Sequence, residues 1–276
     1  MPRRSRVSSA GDHDAARDIL ALERRGEDLF DGNGPAYPWG GLYGGQVLGQ
    51  ALRAACATVG DGKAPHSLHA YFLRAGTMQE AVRYEVERLR DGRSFSMRRV
   101  VAYQGGEAIA SMGASFQLPE ASPEASASRA PAHGPLDELV RKDWGPWIRR
   151  HLIPVEEVGR AAALMQVQED LGDDPALHAC ALTFLSDDLP TDAAGALHPE
   201  RIVPGSDAPW PFFNASLDHA VWFHAPLRVD AQHVHDFVAT RLRSGRALTR
   251  GAIYDGRGVH VASVAQEVLI RARRAA

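Results

Sequence analysis

The chain carries a copy of itself, and this limits what it can fold into more than its composition does. Arg88-Leu89-Arg90-Asp91-Gly92-Arg93 recurs as Arg241-Leu242-Arg243-Ser244-Gly245-Arg246, 153 residues on. Tyr103 followed by Ala110-Ser111 recurs as Tyr254 followed by Ala262-Ser263, and His69-Ala70-Tyr71-Phe72-Leu73 faces His219-Ala220-Val221-Trp222-Phe223 at an offset of 150. Arginine-rich stretches match by chance, so the shared order weighs more than the identities. A repeat of this length in a 276-residue chain calls for two copies of one supersecondary unit, each burying a face against the other.

The unit reads as one helix ahead of an antiparallel meander. Val82, Tyr84 and Val86 alternate with polar residues, the period of a half-buried strand. A turn at Asp91-Gly92 follows, then strands over Phe95–Tyr103 and Ala108–Phe116 broken at Gln104-Gly105-Gly106. The second copy gives strands over His235–Leu242, Leu248–Tyr254 and Val259–Ile270. In the first half Val47, Leu48, Ala51, Leu52, Ala55, Cys56 and Val59 keep helical spacing. Gly44-Gly45 opens that helix, and Gly49 keeps its surface small. In the second half Leu177, Ala181, Phe184 and Leu185 mark a buried helical face, with Asp174-Pro175 as N-cap and first-turn proline. Leu164–Glu169 alternates like a further strand.

Between the copies, Pro119–Pro135 is rich in Pro, Ala, Ser and Glu and reads as a flexible linker. The expected division is a disordered tail over 1–16, an N-terminal unit over 17–118, a linker over 119–147 and a C-terminal unit over 148–276. Cys56 and Cys180 fall on the two helices as buried, inert thiols, too few for a disulfide framework. The tail has no apolar core for a signal peptide, and no apolar run reaches the roughly 18 residues of a membrane span. The net charge of −3 asks for no nucleic-acid partner. Only Lys63 and Lys142 are lysines; with abundant Ala and Gly, this arginine bias suggests a GC-rich bacterial genome. The expected location is the cytoplasm.

Three blocks resemble the acyl-CoA thioesterase II family. They are Gly44-Gly45-Gln46-Val47-Leu48-Gly49-Gln50-Ala51; His66-Ser67-Leu68-His69-Ala70-Tyr71-Phe72-Leu73-Arg74 with the following Leu89–Ser96 and Arg98-Arg99-Val100; and Leu217-Asp218-His219-Ala220-Val221-Trp222-Phe223-His224-Ala225-Pro226 with Val261–Glu267. The resemblance implies an α+β double hotdog, two long central helices each wrapped by an antiparallel sheet, in one chain as a pseudo-dimer. It implies hydrolysis of acyl-CoA to fatty acid and CoA without cofactor or metal, and association into a homo-oligomer, dimer or tetramer. It places the catalytic set on Asp187, Ser216 and Gln266, which would hold the attacking water. Asp188 competes with Asp187 for the Asp position. Leu189-Pro190-Thr191-Asp192 departs from the family by breaking an apolar stretch early.

The chemistry of those residue types suits the task. A thioester is already a reactive acyl donor, so the protein has to align a water, take its proton and stabilise an oxyanion. An ionised Asp accepts the proton; Ser and Gln each donate and accept. A backbone N–H near a helix N-terminus suits the oxyanion. Each residue also has a plain structural explanation: a solvated helix end for Asp187, a strand-edge hydroxyl for Ser216, a satisfied sheet amide for Gln266. Through the repeat, Ser216 faces His66 and Gln266 faces Ala114, so the first copy lacks the set. His66, His69, His219 and His224 read as packing histidines, and Asp218 as a structural hydrogen-bonding group. Arg74, Arg90, Arg93, Arg243 and Arg246 are candidates for CoA phosphates by abundance alone. Two alternatives stay open: a hotdog enoyl-CoA hydratase or dehydratase, and a non-catalytic acyl-CoA-binding module.

Overall fold

A computed structural model describes residues 16–201 and 210–273. Most of the expected tail therefore lies outside the described residues; its last residue, Ala16, is buried in a short helix. In chain order the elements are α1 (Ala16–Ile19), β1 (Leu22–Arg24), β2 (Leu29–Gly32), α2 (Gly44–Cys56), β3 (Ala64–Phe72), β4 (Val82–Asp91), β5 (Phe95–Gln104) and β6 (Glu107–Gln117). After a 3₁₀ turn at Leu136–Glu138 come β7 (Val140–Arg141), β8 (Ile148–Ile153), β9 (Arg160–Val167), α3 (Pro175–Ser186) and α4 (Leu189–Leu197). The chain closes with β10 (Phe212–Ser216), β11 (Asp218–Phe223), β12 (His233–Arg243), β13 (Arg246–Asp255) and β14 (His260–Ala272).

The strands form one antiparallel sheet in the order β1-β2-β4-β5-β6-β3-β11-β14-β13-β12-β9-β8-β7, with β10 also paired to β14. The order is mirrored about the β3/β11 seam: β6, β5 and β4 on one side answer β14, β13 and β12 on the other. Inward-pointing residues such as Leu68, Val100, Met112, Val221, Phe237 and Val264 pack with α2 and α3 into one core. The helices meet closely because α2 presents glycine: a Cβ on Gly49 would lie 3.0 Å from the Cys180 carbonyl. Cys180 is buried as expected, whereas Cys56 is only half-buried.

Three expectations are corrected. The second half has two helices, not one. The second of them, α4, opens at Leu189-Pro190, because proline fits the first turn, where its missing N–H is not needed. The stretch 118–135 has no helix or strand, yet it is not free of the body: the Ser128 hydroxyl lies 2.6 Å from that of Tyr254, and Ala130 packs on the outer face of the second half with Ile153, Leu164 and Val234. The His69/His219 match is off by one. His69 points outward, its ring edge-on to Trp222, while His219 is buried. Across the seam His219 pairs with Ala70 and Val221 with Leu68, so Leu68 is the inward counterpart of His219. A one-residue slip along a strand exchanges its two faces.

Candidate active site

The break between α3 and α4 creates the site. Asp187 is the C-cap of α3, and Asp188 the N-cap of α4. At this break the two side chains take different partners. Asp188 pairs with Arg150 at 2.7 Å, and Arg150 also engages Asp192. A buried guanidinium keeps its proton, so Asp188 is a counter-ion. Burial raises its carboxyl and Arg150 pulls it back. Asp187 turns toward the sheet instead, where no cation among the described residues pairs with it.

There the structure brings Asp187, Ser216 and Gln266 together. The Ser216 hydroxyl donates to Asp187 Oδ1 at 2.7 Å, and Gln266 Nε2 donates to Ser216 Oγ at 2.8 Å. Ser216 ends β10 and Gln266 lies in β14, to which β10 is paired. Asp187 is 4% exposed. Burial lifts its carboxyl from an ordinary 3.8 to about 6, against the lowering effect of Ser216, Gln266 and the Gly45 N–H. A carboxylate in that range is ionised at neutral pH yet basic enough to take a proton.

The N-terminus of α2 closes the other side. Its N-cap, Tyr43, makes no side-chain cap bond, so the first-turn N–H groups are left to face the carboxylate. The close approach needs glycine. A Cβ on Gly44 would lie 2.7 Å from Asp187 Oδ2 and 2.9 Å from the Phe72 ring, and one on Gly45 would strike the Phe184 carbonyl. Tyr37, Trp39, Tyr43, Trp144 and Phe184 stack into an aromatic wall beside the helix start. Gln46 and Gln50 hold the wall's base: the Tyr37 hydroxyl donates to Gln46 at 2.8 Å, and Gln50 donates to the Asn33 carbonyl at 2.7 Å.

The remaining candidates disperse. His66 meets the Ser115 hydroxyl at 2.8 Å, and His224 meets Ser263. Asp218 accepts the Glu267 N–H at 2.6 Å, a strand-to-strand tie. Arg74 and Arg246 pair with Glu107 and Glu267. Among the described residues no cluster of His, Cys, Asp or Glu is arranged to hold a metal ion. His219, expected only to pack, was the residue missed: its Nδ1 contacts Gln266 Oε1 and its Nε2 lies 2.8 Å from the Ser186 hydroxyl. A cavity of about 720 Å³ opens at the opposite end of the helix pair, lined among others by His66, Pro175, Leu182 and Phe223. It contains none of the three residues.

Residues 34–117 match the acyl-CoA thioesterase N-terminal domain family, and residues 117–270 the acyl-CoA thioesterase C-terminal domain family. The chain is 32% identical to human acyl-coenzyme A thioesterase 8, over 92% of this chain and 88% of that protein. It is 29% identical to acyl-CoA thioesterase 2 of Haemophilus influenzae, over 92% and 96%. Among solved structures it is similar to an acyl-CoA thioesterase II from Mycobacterium marinum (TM-score 0.79, 35% identity, 94% and 98% of the two chains). An Alicyclobacillus acidocaldarius protein described as having a hot dog fold matches at TM-score 0.76 and 21% identity, over 93% and 98%, a likeness of fold alone.

Proposed function

The chain belongs to the acyl-CoA thioesterase family, and from that premise we propose that Asp187 is the general base of its hydrolytic reaction, with Ser216 and Gln266 as its positioning partners. The enzyme has a hotdog fold and hydrolyses acyl-CoA thioesters to fatty acid and CoA. No helix among the described residues is long and apolar enough to cross a membrane.

One observation carries the proposal: a buried carboxylate with no cation beside it among the described residues, one oxygen held by Ser216 and the other turned to the start of α2. Oδ1 is occupied by the Ser216 hydroxyl, so Oδ2 is the oxygen that takes the proton of an incoming water. The water oxygen adds to the thioester carbonyl, whose oxygen becomes negative. A first-turn N–H of α2 other than that of Gly45, which Asp187 accepts, and the positive end of that helix stabilise it. Collapse of the adduct breaks the C–S bond. The leaving thiolate takes the proton from Asp187, and the products are the fatty acid and CoA thiol. The aromatic wall limits competing water and strengthens each of these interactions.

The same reading makes the chain a double hotdog, with units near 17–118 and 148–276 joined by the intervening segment. It also makes the β3/β11 seam an internal counterpart of a dimer interface. Tyr71 and Trp222 stand exposed on the outer face there, a surface on which further copies would associate. Thiol release from saturated acyl-CoA substrates of graded chain length tests the function. Free CoA should appear for saturated chains. Hydration of an enoyl-CoA with no thiol released would favour the hydratase alternative, and binding without turnover the carrier alternative.

A further inference from the structure

Beyond the three residues just proposed lies a second layer of buried polar side chains, and its hydrogen bonds run in one direction. We propose that His219 and Ser186 are positioning residues for hydrolysis, holding the Gln266 carboxamide in the single orientation that aims the Ser216 hydroxyl at Asp187. This rests on the assignment of Asp187, Ser216 and Gln266 above.

The direction follows from counting protons. Ser216 has one, and it goes to Asp187 Oδ1. Ser216 Oγ must then accept from Gln266, which puts Nε2 of the amide on that side and Oε1 on the other. Oε1 can only accept, so the atom facing it, His219 Nδ1, must carry a hydrogen. Burial holds the His219 ring neutral, its pKa lowered to about 4. With Nδ1 protonated, Nε2 is bare and accepts from the Ser186 hydroxyl at 2.8 Å. Ser186 has a second acceptor within reach, the Thr183 carbonyl at 2.9 Å, but turning its proton there would leave His219 Nε2 without a donor. The chain Ser186 to His219 to Gln266 to Ser216 to Asp187 thus has every proton used once, and it ends on the negative charge. Ser186 immediately precedes Asp187 on α3, so the relay closes a ring between helix and sheet.

The first half shows what the same framework looks like without this task. Leu68 occupies the inward position corresponding to His219 and lies beside Ala114. Helix α2 ends in Cys56 and Ala57, without a carboxylate. An apolar pair suffices for packing there, so packing alone does not call for the His219–Gln266 pair. A buried histidine whose tautomer is dictated by an amide, itself dictated by a carboxylate, serves orientation.

Three measurements on the full-length protein test this. First, ¹⁵N NMR of the wild type should show His219 with Nδ1 protonated and Nε2 bare, the tautomer less favoured by free imidazole; the reverse tautomer overturns the proposal. Second, His219→Leu, which installs the first-half residue, should lower kcat by about 10- to 100-fold, the scale of a misaligned reacting group, with KM little changed. His219→Asn can donate its amide N–H where Nδ1–H stood and should recover most of that loss. Third, His219→Leu added to Gln266→Ala should cost little more than Gln266→Ala alone. If Gln266→Ala lowers kcat while a folded His219→Leu does not, the positioning role is refuted and the catalytic assignment stands. If Gln266→Ala leaves kcat unchanged, the assignment itself falls, and the positioning role with it.

Discussion

Asp187→Asn should gain stability relative to the wild type as pH rises from 4 to 8. The reason is the cost of keeping an ionised carboxylate largely out of water. Folding moves the Asp187 carboxyl from 3.8 to about 6. That displacement corresponds to roughly 3 kcal/mol between the two protonation states. The sign follows from which state holds the proton. Between pH 4 and 6 the unfolded chain has already released it and the folded protein has not. The folded state is therefore favoured below pH 4, and this contribution is lost as pH rises through 6. Asn has no proton to lose, so the variant escapes the loss while still accepting the Ser216 hydroxyl. The charge-assisted bond from Ser216, made only to the ionised form, is already part of that net displacement. The stability of the variant relative to wild type should therefore improve by up to roughly 3 kcal/mol between pH 4 and pH 8, a relative gain of order 6–12 °C in melting temperature for a chain of this size. Urea or thermal unfolding of both proteins at matched pH values reads it directly. A gap that stays constant with pH, or narrows as pH rises, would refute the picture of Asp187 as a buried, uncompensated carboxylate.

Other outcomes follow from the same geometry. In wild type, kcat/KM should climb with pH to a plateau through a single ionisation near 6, because the base works only unprotonated; a flat profile from pH 5 to 8 would count against it. Gly44→Ala pushes a methyl into Asp187 Oδ2 and Phe72 and should lower kcat by about 100-fold, a loss that stopped-flow or steady-state thiol release would show. His66→Ala and Ala114→Gly, on the side that lacks the catalytic set, should retain far more hydrolysis than Gln266→Ala; equal losses would mean that both halves take part.

Much of this was legible in the sequence for a physical reason: strands with one buried face alternate, and helices over a sheet keep an apolar stripe. The six meander strands and the first-half helix follow from that periodicity. Asp174-Pro175 marks the start of α3 because the Asp174 side chain does accept a backbone N–H there, from Ala176 at 3.0 Å. What failed were places where a local signal has two outcomes. Pro190 can stop a helix or start one, and α3 had to end at Asp187 for it to start one. Matching His69 with His219 by identity ignored which face each strand buries, and so hid the contact of His219 with Gln266. The choice between Asp187 and Asp188 depends on Arg150, brought up by β8, a contact no spacing along the chain reveals. The aromatic wall joins residues near 37–43 to Trp144 and Phe184, again a product of tertiary packing.

The most direct test of the central claim is thiol release in a single turnover, with enzyme in excess over a saturated acyl-CoA at pH 8. Wild type and Asp187→Asn should bind the substrate alike. Wild type should release one equivalent of CoA thiol, and the variant should do so at least about 100-fold more slowly, the low end for removing a general base. Release by Asp187→Asn at close to the wild-type rate would contradict the account.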